Sequence, residues 1–180
     1  PSIVVSTTPS LPANPGQLVT ASVRADSWSG IANLFVEMRS GEIWQSVALD
    51  AAGRFRFTPD QPGLIDLRVT AIDRDGFTAS QIHRLRVKDP ADTLAPRLAW
   101  SGALAAAAAI EVHAPLALTA AIGEAQLMSW RLQIAAAGSD AWSTLAEQEI
   151  PALAVDQTIA LGRLDPGELA NGVWRLRLSA

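Results

Sequence analysis

GLIDLRVTA at residues 63–71 and GVWRLRLSA at residues 172–180 are two copies of one pattern. The first glycine, the central leucine, the arginine and the last alanine are identical, and apolar residues alternate with polar ones in both copies. A period of two places alternate side chains on opposite faces, which is typical of a half-buried β-strand. A second pair, WQSVA at 44–48 and WSTLA at 142–146, precedes the first pair in the same order. The chain is therefore predicted to be a tandem repeat of one β module.

Short alternating runs, separated by turn signals every eight to twelve residues, indicate an immunoglobulin-like (Ig-like) sandwich. In the first module the predicted strands cover residues 2–6, 18–25, 34–39, 43–49, 54–58, 64–72 and 77–87. In the second module they cover residues 97–100, 116–122, 127–134, 142–148, 158–161 and 173–180. The predicted fold class is all-β, with two tandem Ig-like antiparallel β-sandwiches. We place the first module at 1–89, a linker with two prolines at 90–96, and the second module at 97–180.

The two modules differ after the repeat strand. Module one continues through the turn at Asp75-Gly76 into the strand 77–87, whereas module two stops at the residue that aligns with Ala71. We therefore expect the second sandwich to lack its last strand within this chain. An unpaired strand edge is a template for pairing, so we expect this edge to meet a neighbouring domain of a longer parent chain or another protein chain. We also expect the second module to be the less stable one.

Composition excludes several functional classes. The halves are unequal in charge: residues 1–90 hold nine basic and nine acidic side chains, and residues 91–180 hold five and nine, which accounts for the net charge of −4. Arg56, Arg68, Arg84 and Arg86 are expected to share one sheet face, but no clustered basic surface suited to nucleic acid is predicted. The chain has no cysteine for disulfides or thiolate chemistry, and no apolar run long enough to span a membrane. It begins at Pro1 without a leader, so we expect a piece of a longer protein.

Three segments carry a family resemblance. LDPGELANGVWRLRLSA at 164–180 resembles the strand entry common in bacterial Ig-like modules of large RHS/YD-repeat proteins, with Trp174 where those modules usually have Tyr. WRLQIAAAGSDAWSTLA at 130–146 is similar to their middle hairpin, and AIDRDG at 71–76 is similar to their turn. The resemblance implies a secreted or cell-surface bacterial protein in which such modules stand beside a YD-repeat shell. The YD repeats themselves are absent from this sequence.

Two ligand hypotheses compete with structural interpretations. Asp73 and Asp75, with Asp89 and Asp92 near the linker, are calcium candidates, since Ca²⁺ takes six to eight oxygen ligands. A hairpin turn built on Asp75-Gly76 is the favoured alternative, so no metal site and no cofactor is predicted. Trp28, in the loop DSWSG, is the candidate for binding a glycan or a protein, because an exposed indole stacks on a sugar face.

The remaining aromatic and titratable residues are interpreted as structural. Trp130 and Trp174 fall on inward phases, and the shared position of Trp44 and Trp142 favours packing over recognition. His83 faces inward with its strand neighbours. The sequence has no Gly-x-Ser-x-Gly nucleophile elbow, and each module has a single histidine, which alone forms no catalytic triad. The side chains of Glu147 and Glu149 are expected to be solvated. No enzyme is therefore predicted. The favoured function is a noncatalytic spacer or interaction pair, and the alternative is an adhesin module that binds a glycan or a protein.

Overall fold

The computed structural model describes residues 1–10, 12–106, 109–151 and 157–180, and these residues form β-strands with two short 3-10 turns. The chain divides into two compact units, Pro1–Thr93 (unit 1) and Leu94–Ala180 (unit 2). This division falls inside residues 90–96. The described residues contain no α-helix, so the all-β prediction is confirmed.

Unit 1 is a seven-stranded sandwich of two antiparallel sheets. Its strands are β1 (Ser2–Thr8), β2 (Val19–Asp26), β3 (Ile31–Ser40), β4 (Trp44–Ser46), β5 (Arg54–Phe57), β6 (Gly63–Asp73) and β7 (Thr78–Val87). One sheet has the order β1-β2-β5 and the other has the order β4-β3-β6-β7. Strands that are distant in the sequence are therefore neighbours in each sheet, as in an Ig-like sandwich.

The repeat strand β6 lies in the middle of the larger sheet, between β3 and β7. Its inward residues Ile65, Leu67 and Val69 are buried in one hydrophobic cluster, together with Leu85 and Val87 of β7. Each fully buried aliphatic side chain contributes about 1.5–3 kcal/mol of burial free energy. The alternation that predicts the strand is thus the pattern that fills the core.

Unit 2 is built on the same plan from six strands among its described residues. They are β8 (Arg97–Ser101), β9 (Leu116–Gly123), β10 (Ser129–Ala136), β11 (Ser143–Glu149), β12 (Gln157–Leu164) and β13 (Trp174–Ser179). The sheet orders are β12-β9-β8 and β11-β10-β13. Its core contains Leu118, Ile122, Leu132 and Leu161, which belong to both sheets.

The corresponding repeat strands, β6 and β13, have different neighbours. β6 pairs with β3 and β7, whereas β13 pairs with β10 alone in the part of the chain that the structure describes. A second sandwich without a last strand in this chain is the arrangement that the sequence predicts.

Two local predictions have different outcomes. Asp165 as a candidate N-cap and Pro166 at the first position predict one helical turn within residues 164–172. The structure confirms this turn: the 3-10 turn Pro166–Glu168 follows Asp165, whose carboxylate accepts a hydrogen bond from the N–H of Gly167 at 2.9 Å. In the alanine run 105–109, predicted to be a loop or weak strand, residues 107 and 108 lie outside the described residues. A 3-10 turn, Gly102–Leu104, precedes that run.

Candidate binding site

Trp28 lies in the loop 27–30 between β2 and β3, and its side chain is fully exposed, with a relative exposure of 108%. Gly30 closes the loop, because its N–H donates to the carbonyl oxygen of Ser27 at 3.0 Å. The φ of Gly30 is 80°, in the left-handed region that glycine adopts without a Cβ penalty. The residue that the sequence selects for ligand binding is thus presented to solvent by a tight turn.

Hydrogen bonds join this loop to the turn between β6 and β7. The Ser27 hydroxyl donates to Oδ2 of Asp73 at 2.8 Å, and the N–H of Arg74 donates to the carbonyl oxygen of Gly30 at 3.1 Å. The two loops therefore form one connected end of unit 1. A loop that is ordered before binding loses less conformational entropy when a ligand arrives.

The Asp73 carboxylate accepts hydrogen bonds from both of these loops. Its Oδ1 accepts hydrogen bonds from the N–H of Phe77 at 2.9 Å and from the N–H of Asp75 at 3.1 Å. Burial raises the pKa of the Asp73 carboxyl, but the hydrogen bonds from Ser27, Phe77 and Asp75 together lower it by more, so its pKa lies below the usual value. The hairpin turn predicted at Asp75-Gly76 is present, since Gly76 has a φ of 86° and its N–H donates to the carbonyl oxygen of Asp73 at 3.1 Å.

Phe77 is a second exposed aromatic residue on the same two loops, and sequence reasoning missed it. The sequence assigns Phe77 to the start of a strand, but β7 begins at Thr78 and the ring is 68% exposed. Its position directly after Asp75-Gly76 is the signal that places it at a turn. An exposed phenyl ring and an exposed indole on hydrogen-bonded loops are suited to stacking on a sugar ring or packing on an apolar side chain.

The structure does not bring the four calcium candidates together. Asp73 and Asp75 precede β7, and Asp89 and Asp92 follow it. β7 has ten residues, and a strand rises about 3.3 Å per residue, so the two pairs are separated by about 30 Å. Among residues 1–10, 12–106, 109–151 and 157–180, no cluster of three or more His, Cys, Asp or Glu side chains is placed to hold a metal ion.

Trp44 and Trp142 hold equivalent places, each beside two arginines. The guanidinium carbons of Arg39 and Arg68 lie 4.6 and 4.3 Å from the ring centroid of Trp44. For Trp142 the corresponding distances are 5.1 Å from Arg175 and 4.1 Å from Arg177. These cation–π stacks agree with a packing role for the two indoles.

The other three tryptophans pack on the core of unit 2. Trp130 is buried, and Trp100 and Trp174 are partly buried against the same hydrophobic cluster. The indole N–H of Trp174 also donates to the carbonyl oxygen of Ala170 at 3.0 Å. The inward phases predicted for Trp130 and Trp174 are therefore confirmed.

The expectation of one arginine face is wrong in part. Arg56 belongs to β5, in the sheet opposite the one that holds Arg68, Arg84 and Arg86. Arg86 is buried, and Arg68 and Arg84 are bound to carboxylates, at 2.7 Å from Glu37 and 3.0 Å from Asp66. The sequence could not show this separation, because sheet membership depends on strand order and not on strand phase.

The remaining titratable residues make local contacts within their own units. The Nε2 of His83 lies 3.3 Å from the Thr7 hydroxyl, and burial lowers the pKa of the His83 imidazole. His113 and Glu111 are exposed, with 3.4 Å between Nε2 and Oε2. Glu147 and Glu149 are exposed on β11, as expected, and Glu147 pairs with Arg131 at 2.8 Å.

None of the described helices has the length and hydropathy of a membrane span.

Comparison with known proteins gives distant structural neighbours. No family model and no curated protein matches the sequence. One solved structure is of the fibronectin(III)-like modules of Clostridium thermocellum CbhA, at 16% identity and a TM-score of 0.35, with 87% of this chain and 77% of that chain covered. Another is a tetra-tandem repeat in the extending region of a large adhesion protein, at 16% identity and a TM-score of 0.30. That match covers 98% of this chain and 47% of the other chain.

Proposed function

We propose that the two units are noncatalytic structural modules of a large secreted or surface-displayed bacterial protein, in which they space and connect other domains. The observation that carries this proposal is the repetition of one sandwich plan twice in a single chain. Antiparallel sheets that pack on hydrophobic cores of their own resist deformation, and the segment between the two units is short and contains prolines. An RHS/YD-repeat parent is the specific form of the proposal that the resemblance supports.

Single-molecule stretching tests the spacer function. The chain is placed between two reference domains and extended at constant speed. Two independent modules of this size release about 30 nm of chain each, because an extended residue spans about 3.5 Å. Two force peaks with increments of about 30 nm are expected. One peak of about 60 nm, or extension without peaks, contradicts a pair of independent spacers.

The second candidate function is recognition of a glycan or a protein, and the specific observation that favours it is the exposure of Trp28 and Phe77 on joined loops. In this alternative the modules belong to an adhesin. The indole supplies a flat apolar face, and the loops hold that face away from the sandwich. Ligand specificity then resides at the end of unit 1 where β1 begins.

A glycan array with the full chain and its Trp28→Ala variant separates the two functions. Recognition predicts a specific signal that Trp28→Ala weakens by about tenfold or more, because truncating a central aromatic contact removes a large part of the binding energy. Ile43→Ala is the matched control, since Ile43 is also exposed but follows the far end of β3. A signal that both variants retain, or lose equally, counts against a site at Trp28.

A further inference from the structure

The outer face of the unit 2 sheet β11-β10-β13 carries an indole beside two arginines. The guanidinium carbons of Arg175 and Arg177 lie 5.1 and 4.1 Å from the ring centroid of Trp142. Both arginines are exposed, and they alternate with partly buried residues along β13. Stacking on an aromatic ring uses the flat face of a guanidinium and leaves its in-plane N–H donors for an anion. Arg175 and Arg177 are called the β13 arginine pair below.

Unit 1 shows which groups bind such a pair when the fold supplies them. Arg39 and Arg68 lie beside Trp44, and each is bound to a carboxylate. The Nη2 of Arg39 lies 2.6 Å from Oδ2 of Asp66, and the Nε of Arg68 lies 2.7 Å from Oε2 of Glu37. One indole and two arginines are thus completed by two carboxylates of the same sheet.

The first of these carboxylates is replaced by an amide in unit 2. Glu37 lies opposite Arg68 on β3 and β6, and Gln133 lies opposite Arg177 on β10 and β13. The side-chain oxygen of Gln133 accepts hydrogen bonds from Nε and Nη2 of Arg177 at 3.2 and 2.7 Å. The amide therefore holds the guanidinium in place without compensating its charge.

The second carboxylate is replaced by an arginine, since Arg175 holds the place of Asp66 on the repeat alignment. The Nη2 of Arg175 donates to the carbonyl oxygen of Ser139 and lies 3.8 Å from Oδ1 of Asp140. Asp140 is fully exposed, and an ion pair in contact with water contributes little. Both replaced positions lie on the sheet face, within β10 and β13, so this exchange does not depend on what borders the outer edge of β13.

The geometry of the pair suits carboxylates on an extended peptide. The guanidinium fork matches a carboxylate, and carboxylates occupy the equivalent places in unit 1. Arg175 and Arg177 are two residues apart on one strand, which separates their Cα atoms by about 7 Å. Acidic residues at alternate positions of an extended segment have the same spacing and project to the same side.

Acidic residues near the pair disfavour a dense polyanion. Glu147 and Glu149 are exposed on β11 of the same sheet, and residues 91–180 hold nine acidic and five basic side chains. Like charges repel within a Debye length of about 8–10 Å. A nucleic acid or a heavily sulfated chain therefore meets repulsion beyond the arginine pair, whereas a short segment with two carboxylates does not extend that far.

We propose that unit 2 binds a short acidic segment of another protein on its outer sheet face, through the β13 arginine pair. The segment is extended and carries carboxylates at alternate positions, which take the places that Glu37 and Asp66 hold in unit 1. Trp142 and Gln133 are positioning residues that hold the two guanidiniums. The site does not include the exposed loops of unit 1, so this inference goes beyond both functions proposed above.

Three peptides of equal length, with blocked ends, test the proposal on the full chain. The first is Thr-Glu-Thr-Glu-Thr, the second is Thr-Glu-Glu-Thr-Thr, and the third is Thr-Gln-Thr-Gln-Thr. The readout is the NMR shift of the Nε–H signals of Arg175 and Arg177 during titration. We expect the first peptide to bind about fivefold more tightly than the second, because adjacent side chains of an extended segment project to opposite sides and only one reaches the pair. The third peptide is expected to leave the signals unchanged.

Gln133→Glu is the matched variant, because it restores in unit 2 the carboxylate that Glu37 supplies in unit 1. The new carboxylate is expected to occupy Arg177 and to weaken the first peptide about fivefold, while the thermal stability of unit 2 does not fall. Arg177→Gln is expected to weaken binding to the same extent. Arg163→Gln, at an exposed position on β12 of the other sheet, removes the same charge and is expected to leave the affinity unchanged.

Four results overturn the proposal. They are equal binding of the first and second peptides, no shift with either, equal loss of binding in Arg177→Gln and Arg163→Gln, and tighter binding of an oligonucleotide or a uronic acid tetrasaccharide than of the first peptide. Arginine signals that shift with protein concentration alone would assign the site to a second copy and overturn it as well. None of these results changes the two force peaks of a spacer or the array signal at Trp28, so the proposals fail separately.

Discussion

At the scale of single residues, Asp66 shows that tertiary contacts can bury a side chain that the strand pattern places on the polar face. The alternation in β6 places Asp66 on the polar face, yet the residue is buried, with its carboxylate 2.6 Å from Arg39 and 3.0 Å from Arg84. Arg39 lies on β3 and Arg84 on β7, so the ion pairs exist only because β6 lies between those strands. One carboxylate thus links three strands on the outer face of unit 1.

Asp66→Asn is expected to destabilise unit 1 by about 2 kcal/mol. The amide removes the negative charge and leaves two arginines close together without their common partner. The measurement is the unfolding free energy of unit 1 from urea titration. Asp60→Asn, at an exposed position outside any strand, is the control and is expected to change stability by less than about 0.5 kcal/mol. Equal effects of the two substitutions would mean that the buried ion pairs add nothing.

At the scale of elements, the turn between Asp50 and Arg54 shows why one glycine is required. Gly53 has a φ of 73°, and its carbonyl oxygen accepts a hydrogen bond from the N–H of Val23 at 2.8 Å. A Cβ at Gly53 would lie 2.6 Å from the carbonyl oxygen of Val23, which belongs to the backbone of β2. The turn that starts β5 is therefore pressed against the neighbouring strand.

Gly53→Ala is expected to cost about 3 kcal/mol, because backbone strain and a clash with the backbone add together. Gly41→Ala is the matched control: its φ is 88°, but no heavy atom lies within 4 Å of the added Cβ. That substitution isolates the strain and is expected to cost about 1 kcal/mol. Thermal unfolding of unit 1 measures both. If the two variants have the same stability, the close approach to Val23 is unimportant.

At the scale of the whole molecule, the two units share one plan but differ in completeness. The two apolar side chains that β7 buries in unit 1 contribute about 1.5–3 kcal/mol each, against a typical domain stability of about 5–15 kcal/mol. Unit 2 lacks an equivalent pair among its described residues. In the stretching experiment we therefore expect the weaker force peak to come from unit 2.

A glycine-serine insertion of ten residues in the turn at 138–140 assigns the peaks, since it lengthens the unit 2 increment by about 3.5 nm. The longer increment is expected to accompany the lower force. If it accompanies the higher force, the sandwich with the free edge is the stronger one, and its open edge does not limit its stability.

The sequence by itself determined the strand phases, the turns, the repeat and the inward positions of Trp130 and Trp174, because alternation and turn chemistry are local properties of neighbouring residues. It also placed Trp28 in a loop, and the structure shows that residue exposed there. Tertiary structure alone decided that Arg56 lies in the other sheet, that Asp66 is buried, and that Phe77 joins Trp28 at one end of unit 1. Each of these depends on which distant strands are neighbours, and that choice is made by packing between segments that no local pattern connects.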